Sequence, residues 1–185
     1  MDKIDFLGVC GCGSIVEICY MKFLVLYNDG CQSQLLCLEP QCNEEFYSEE
    51  KYDETIKPQL TFLYCSSSTV YFNTMANFIH KIAINHELLN EIYTADTLDG
   101  EKVYFAHYTG LLTLEQYQAY RKIIPPPKVP MLLHTRESSS THNIGIVDTD
   151  GIPKWVKPTT KIGIYPVIHF LNKERVKILY INSSF

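Results

Sequence analysis

The hydrophobic pattern changes period twice along this chain, and the changes divide it into three stretches. Ile4 to Leu7 and Ile15 to Leu26 are rich in β-branched and aromatic residues and predict strands. The Asn28-Asp29-Gly30 turn joins the second of these to a strand over Gln34 to Leu38. Pro40 to Pro58 is acidic and polar and predicts a long surface excursion, with Thr61 to Tyr64 a further short strand. After Ser66-Ser67-Ser68 the spacing of Met75, Phe78, Ile79, Ile82 and Ala83 becomes helical. It predicts an amphipathic helix over Tyr71 to Ile84, capped by the serines. His86 to Ile92 has the look of a second short helical piece.

Asp99-Gly100 is a turn signal ahead of an extended segment, Lys102 to His107. Thr113-Leu-Glu-Gln116 has the capping-box pattern, so a helix is expected over Tyr117 to Ile123. Pro125-Pro126-Pro127 must end it, because proline lacks the N–H and clashes with the preceding turn. The remainder alternates as short strands: Met131 to His134, Asn143 to Val147, Lys154 to Val156, Gly163 to Leu171 and Val176 to Ile181. The expected architecture is a single α+β domain over residues 1–185, with a small antiparallel sheet, two amphipathic helices, long irregular loops and paired terminal strands.

Composition narrows the function classes. The chain has 185 residues, 46% of them hydrophobic and 20% charged, which suits one globular domain. A formal net charge of −5 with scattered basic residues argues against general nucleic-acid binding. No apolar run approaches the roughly 18 residues of a membrane span, and the start Met-Asp-Lys-Ile-Asp-Phe lacks the features of a signal peptide. A protein kept in a cytoplasm or assembled into a particle there is expected. The seven cysteines (Cys10, Cys12, Cys19, Cys31, Cys37, Cys42, Cys65) lie in the first third and predict free thiols in a reducing compartment.

The order of elements resembles a family of bacterial and phage modules of the C-type-lectin-like superfamily. Leu111-Leu-Thr-Leu-Glu-Gln-Tyr matches the family's helix start, and His134-Thr-Arg136-Glu-Ser-Ser-Ser stands where its Trp/Arg/Ser loop lies. Asn143-Ile-Gly-Ile-Val-Asp-Thr-Asp-Gly151 matches its strand and turn, and Gly163-Ile-Tyr-Pro-Val-Ile its closing strand. In the first half, Ile4-Asp-Phe-Leu-Gly resembles the opening strand, and Lys22-Phe-Leu-Val-Leu with Gln34-Leu-Leu-Cys-Leu the first hairpin. The loop Trp is missing, and Tyr165 replaces the closing Arg. The resemblance implies a C-type-lectin-like scaffold whose irregular half displays a binding surface. Such scaffolds serve sugar-binding lectins, receptor-binding proteins and formylglycine-generating enzymes, and fold does not choose among them.

Candidate chemistry is sparse. Glu39-Pro40-Gln41 superficially resembles a calcium-lectin tripeptide but lies in the wrong third of the chain, and a strand-end turn accounts for it better. The cysteine spacings (Cys10-Gly-Cys12, Cys37 and Cys42) leave a zinc site open but favour ordinary thiols, so no metal or cofactor is expected. His134, His142 and Ser138 to Ser140 with Asp148 or Asp150 lack the Gly-x-Ser-x-Gly elbow of a hydrolase. Arg136 can fork onto carbonyls or a carboxylate, bracing the loop in preference to contacting a ligand. Trp155 is either an exposed anchor or core filling.

The leading expectation is a non-enzymatic module that binds a protein or glycan through Arg136, Ser138, Ser139, His142, Asn143, Asp148, Trp155 and Tyr165. The alternatives are an assembly subunit, self-associating or part of a larger particle or secretion apparatus, and a thiol- or metal-dependent enzyme built on the cysteine-rich third.

Overall fold

The structure is a computed structural model and describes residues 11–18, 20–29, 32–46, 69–83, 93–96, 102–105, 109–134, 143–171 and 180–181. The expected strands at Ile4 to Leu7 and Thr61 to Tyr64, the serine cap, the helical piece at His86 to Ile92 and the Asp99-Gly100 turn lie outside them. Within them the chain is α+β, with antiparallel sheets and two helices.

The elements run β1 (Ile15–Ile18), β2 (Met21–Asn28), β3 (Gln32–Cys37), β4 (Glu44–Glu45), α1 (Thr69–Ala83), β5 (Tyr93–Asp96), β6 (Lys102–Phe105) and β7 (Thr109–Gly110). They continue with α2 (Leu114–Tyr120), β8 (Met131–Leu132), β9 (Ile144–Val147), β10 (Pro153–Val156), β11 (Lys161–Ile162), β12 (Val167–Leu171) and β13 (Tyr180–Ile181). The main sheet has the order β13-β1-β2-β3-β12-β7, so the last described strand closes on the first, Val16 opposite Ile181.

Alternation along the strands of this sheet feeds two apolar layers. Phe23, Val25, Leu35, Cys37 and Ile168 face one side, where Phe78 and Ile82 of α1 cover them. The Phe23 and Phe78 rings meet tilted, with centroids 6.2 Å apart. Leu24, Leu26, Leu36 and Val167 face the other side and pack on Tyr117 of α2, Val147 of β9 and Tyr165. A second sheet, β10-β9-β8, lies on that side. Its strand β9 is buried on both faces, because Ile144 and Ile146 point into a third cluster with Phe46, Met75 and Ile162. α1 thus covers one face of the central sheet and α2 with the second sheet the other, while Met75 of α1 also joins the cluster of Ile144 and Ile146.

Four expectations about the strands and their connections need correction. The single strand expected over Ile15 to Leu26 is a hairpin: Ile18 pairs with Met21, and Tyr20 takes φ 65 to turn the chain. The excursion expected from Pro40 is tethered, since Lys161 of β11 pairs with Glu45 of β4 and Phe46 is only 1% exposed. The strand expected over Gly163 to Leu171 starts at Val167; Gly163 before it makes an isolated bridge to Met131. Strand β5 has no counterpart in the sequence expectation and pairs with β6, Tyr93 opposite Phe105.

Candidate functional site

The α2 cap is local chemistry. Thr113 Oγ1 accepts from the Gln116 N–H at 3.1 Å, and Gln116 Oε1 accepts from the Thr113 N–H at 3.0 Å. The helix therefore starts at Leu114, directly after its cap, and not at Tyr117. It closes when the Ile123 and Ile124 N–H groups both donate to the Tyr120 carbonyl, at 3.0 and 3.2 Å, ahead of Pro125. The cap sets the phase that turns Tyr117 inward, 2% exposed. Burial pushes its phenol pKa up, and the hydroxyl donates to the Gly151 carbonyl at 2.9 Å.

That bond fastens the β9–β10 hairpin, where two of the described candidate residues, Asp148 and Trp155, lie. The Gly151 N–H donates to the Asp148 carbonyl at 2.9 Å, and Gly151 has φ 79, the left-handed position that closes a turn of this length. The Asp148 carboxylate accepts from the Ile152 N–H at 2.9 Å and the Asp150 N–H at 3.0 Å, and pairs with Lys154 at 3.1 Å. The Ile152 N–H does most to hold the Asp148 carboxyl below its ordinary range; Lys154 and the Asp150 N–H add to it. Asp148 is therefore the brace of this turn.

The hairpin presents apolar surface. Ile152 is 51% and Trp155 43% exposed. Trp155 stands opposite Gly145 in the strand pair. The Asp148 N–H donates to the Ile152 carbonyl, so by alternation the Trp155 main chain faces away from β9. The Gly145 carbonyl agrees, since it accepts from the Leu133 N–H on the β8 side. Among the described residues strand β10 is the edge of its sheet, so the Trp155 N–H and C=O lie along that edge beside its ring.

The remaining candidates separate. Asn143 is half-buried at the start of β9. Arg136, Ser138, Ser139 and His142 lie outside the described residues. Tyr165, expected among the contact residues, sits in the core at 3% exposure. Its hydroxyl donates to the Val129 carbonyl at 3.1 Å and accepts from the Val129 N–H at 3.2 Å. It clamps the chain that leads into β8 and presents no surface. Burial lowers the His134 pKa, which favours the neutral imidazole.

The described thiols are free. Cys37 is buried, and desolvation pushes its pKa up to about 12, so it stays protonated and inert as a nucleophile at neutral pH. Burial also raises Cys42, while Cys12 is exposed and donates to the Leu26 carbonyl at 3.0 Å. Among the described residues no three His, Cys, Asp or Glu side chains gather as a metal site would require. Glu39-Pro40-Gln41 is a packed strand end, where the Gln41 side chain donates to the Glu39 carbonyl at 3.0 Å. Among the described residues no helix is long and apolar enough to cross a membrane.

No protein-family model, curated protein or solved structure matches this chain.

Ile152 escaped the sequence reasoning. Its signal is an isoleucine directly after an Asp-Gly turn, next to the proline that opens a strand.

Proposed function

We propose that this chain is a non-enzymatic recognition module on a C-type-lectin-like scaffold. A protein or glycan partner is held at the β9–β10 hairpin and the adjoining stretch from Arg136 to Asn143. The scaffold assignment is supported by the pairing of β13 with β1, the two helices and the second small sheet set on one face of the first. The observation that carries the binding reading is Trp155: a large aromatic, 43% exposed, on a hairpin pinned by Tyr117 and Asp148. A pre-ordered aromatic loses little conformational freedom on binding, and its face suits a sugar ring or an apolar protein anchor equally.

Trp155 is also the chain's one tryptophan, so its fluorescence reports this surface directly. Titration of the full chain with a glycan panel and with candidate partner proteins is expected to shift its emission to the blue. Trp155→Ala is expected to abolish binding while leaving the thermal midpoint nearly unchanged. A ligand bound equally well by Trp155→Ala sinks the assignment.

The β10 edge, unpaired among the described residues, favours a second reading, an assembly subunit whose copies pair along that strand. Light scattering on a sizing column separates the two. A monomer supports recognition, whereas a dimer that Trp155→Ala dissolves supports assembly.

A further inference from the structure

The segment between α2 and β8, Ile123-Ile-Pro-Pro-Pro-Lys-Val-Pro130, does more than end a helix. Each proline fixes its own φ near −65°, and each residue before a proline is driven out of the helical region. Ile124, Pro125 and Pro126 all precede prolines, which restricts the run through Pro127 to extended backbone of the polyproline II kind. In that three-fold helix successive residues point in three directions. Pro125 and Pro126 are exposed and Pro127 is buried, so one edge of the prism is seated on the protein and two stand out as a ridge.

The ridge is anchored at both ends. Ile124 is 7% exposed, and its N–H donates to Tyr120. After a bend at Lys128 and Val129, the Tyr165 hydroxyl takes both main-chain groups of Val129, and the Pro130 carbonyl accepts from the Gly163 N–H at 2.7 Å. Gly163 is required for this approach, since a Cβ there would come within 2.5 Å of Val129 and 2.9 Å of Tyr165.

Charge sets this segment apart along the chain. In a chain of net charge −5, no acidic residue occurs between Glu115 and Glu137. Arg121 and Lys122 are exposed on one side of the prolines, and Lys128 is exposed on the other.

We infer that Pro125 and Pro126, with Arg121, Lys122 and Lys128, form a docking ridge for a partner protein that reads proline helices in an aromatic-lined groove with an acidic rim. Polyproline segments are bound this way because their shape is preformed and little entropy is lost. Anchoring at Ile124 and Val129 carries that preorganisation into the folded protein, and the flanking cations match carboxylates on the groove's rim. The ridge is distinct from the β9–β10 hairpin and stands whether or not Trp155 binds a ligand.

The test uses the full chain titrated with purified SH3 and WW domains as probes, followed by NMR line broadening and calorimetry. A domain with acidic residues beside its aromatic groove is expected to bind, broadening signals at residues 121–129. The double variant Pro125→Ala/Pro126→Ala is expected to weaken binding about tenfold or more, and Lys128→Glu by roughly threefold with a shallower salt dependence. Trp155→Ala should leave this binding intact. Unchanged circular dichroism and thermal midpoint for Lys128→Glu, an exposed site, keep loss of binding separate from loss of fold. Failure of every probe to bind, or equal affinity for the double proline variant, overturns the proposal.

Discussion

Between β1 and β2 the chain reverses over two residues, and between β9 and β10 it reverses through Asp148 to Gly151. Both reversals need a residue at positive φ. The first uses Tyr20, at φ 65 and 79% exposed; the second uses Gly151, at φ 79 and buried under α2. A tyrosine in the left-handed region costs on the order of 1 kcal/mol, whereas a glycine there is nearly free of strain. The costly residue stands at an exposed turn. The unstrained one stands where Tyr117, Asp148 and Lys154 all converge. Placement of the β9–β10 hairpin is thus over-determined, as a display element for Trp155 requires. The β1–β2 turn is held in place by the strands that flank it.

The comparison breaks most visibly at Gly151. A Cβ there would meet the Tyr117 hydroxyl at 3.4 Å, ordinary contact, so the principal penalty is the φ of 79 itself. Gly151→Ala is expected to destabilise the fold by about 1–2 kcal/mol in urea unfolding. If the cost is near zero, the hairpin is not held as described and its claim to rigidity fails.

Acid sharpens the same contrast with a smaller effect. The Ile152 N–H above all, then Lys154 and the Asp150 N–H, hold the Asp148 pKa below its unfolded value. Its contribution is therefore present in full above the ordinary aspartate pKa, about 3.9. It is lost as pH falls through the lower, folded pKa. The thermal midpoint of Asp148→Asn should be lower than wild type at neutral pH and converge with it in acid. Parallel pH profiles from neutral pH into that acid range would show that the carboxylate does not brace the turn.

How much of this was legible in the chain depends on the range of the interaction. Thr113 and Gln116 announce the α2 cap because both capping bonds close within three residues. Asp150-Gly151 announces a turn because the glycine's backbone freedom is a property of the residue itself. The break at Tyr20 carries no such mark, since Cys19-Tyr20 is poor turn chemistry and only pairing of β1 with β2 forces it. Phe46 looked like part of a polar excursion because its tether, β11, lies more than a hundred residues away. The sequence places Tyr165 among the contact residues, at the end of the segment that starts at Asp148. Its hydroxyl finds Val129 instead, a pairing across 36 residues that no local pattern encodes. Trp155 was open between core and surface, and its exposure follows from the position of β10 at a sheet edge.

The smallest expected effect, and the one of opposite sign, lies at the other turn. Tyr20→Gly removes a strained residue whose side chain is 79% exposed, so little packing is lost. Relief of roughly 1 kcal/mol of left-handed strain is set against the greater freedom of glycine in the unfolded chain. The net should be a stabilisation below about 1 kcal/mol, read as a small rise in the urea midpoint with an unchanged slope. A destabilised Tyr20→Gly would mean that the tyrosine ring makes a contact that offsets its backbone strain. The β1–β2 turn would then join the β9–β10 hairpin as a reversal held by its side chains, and the distinction between the two would collapse.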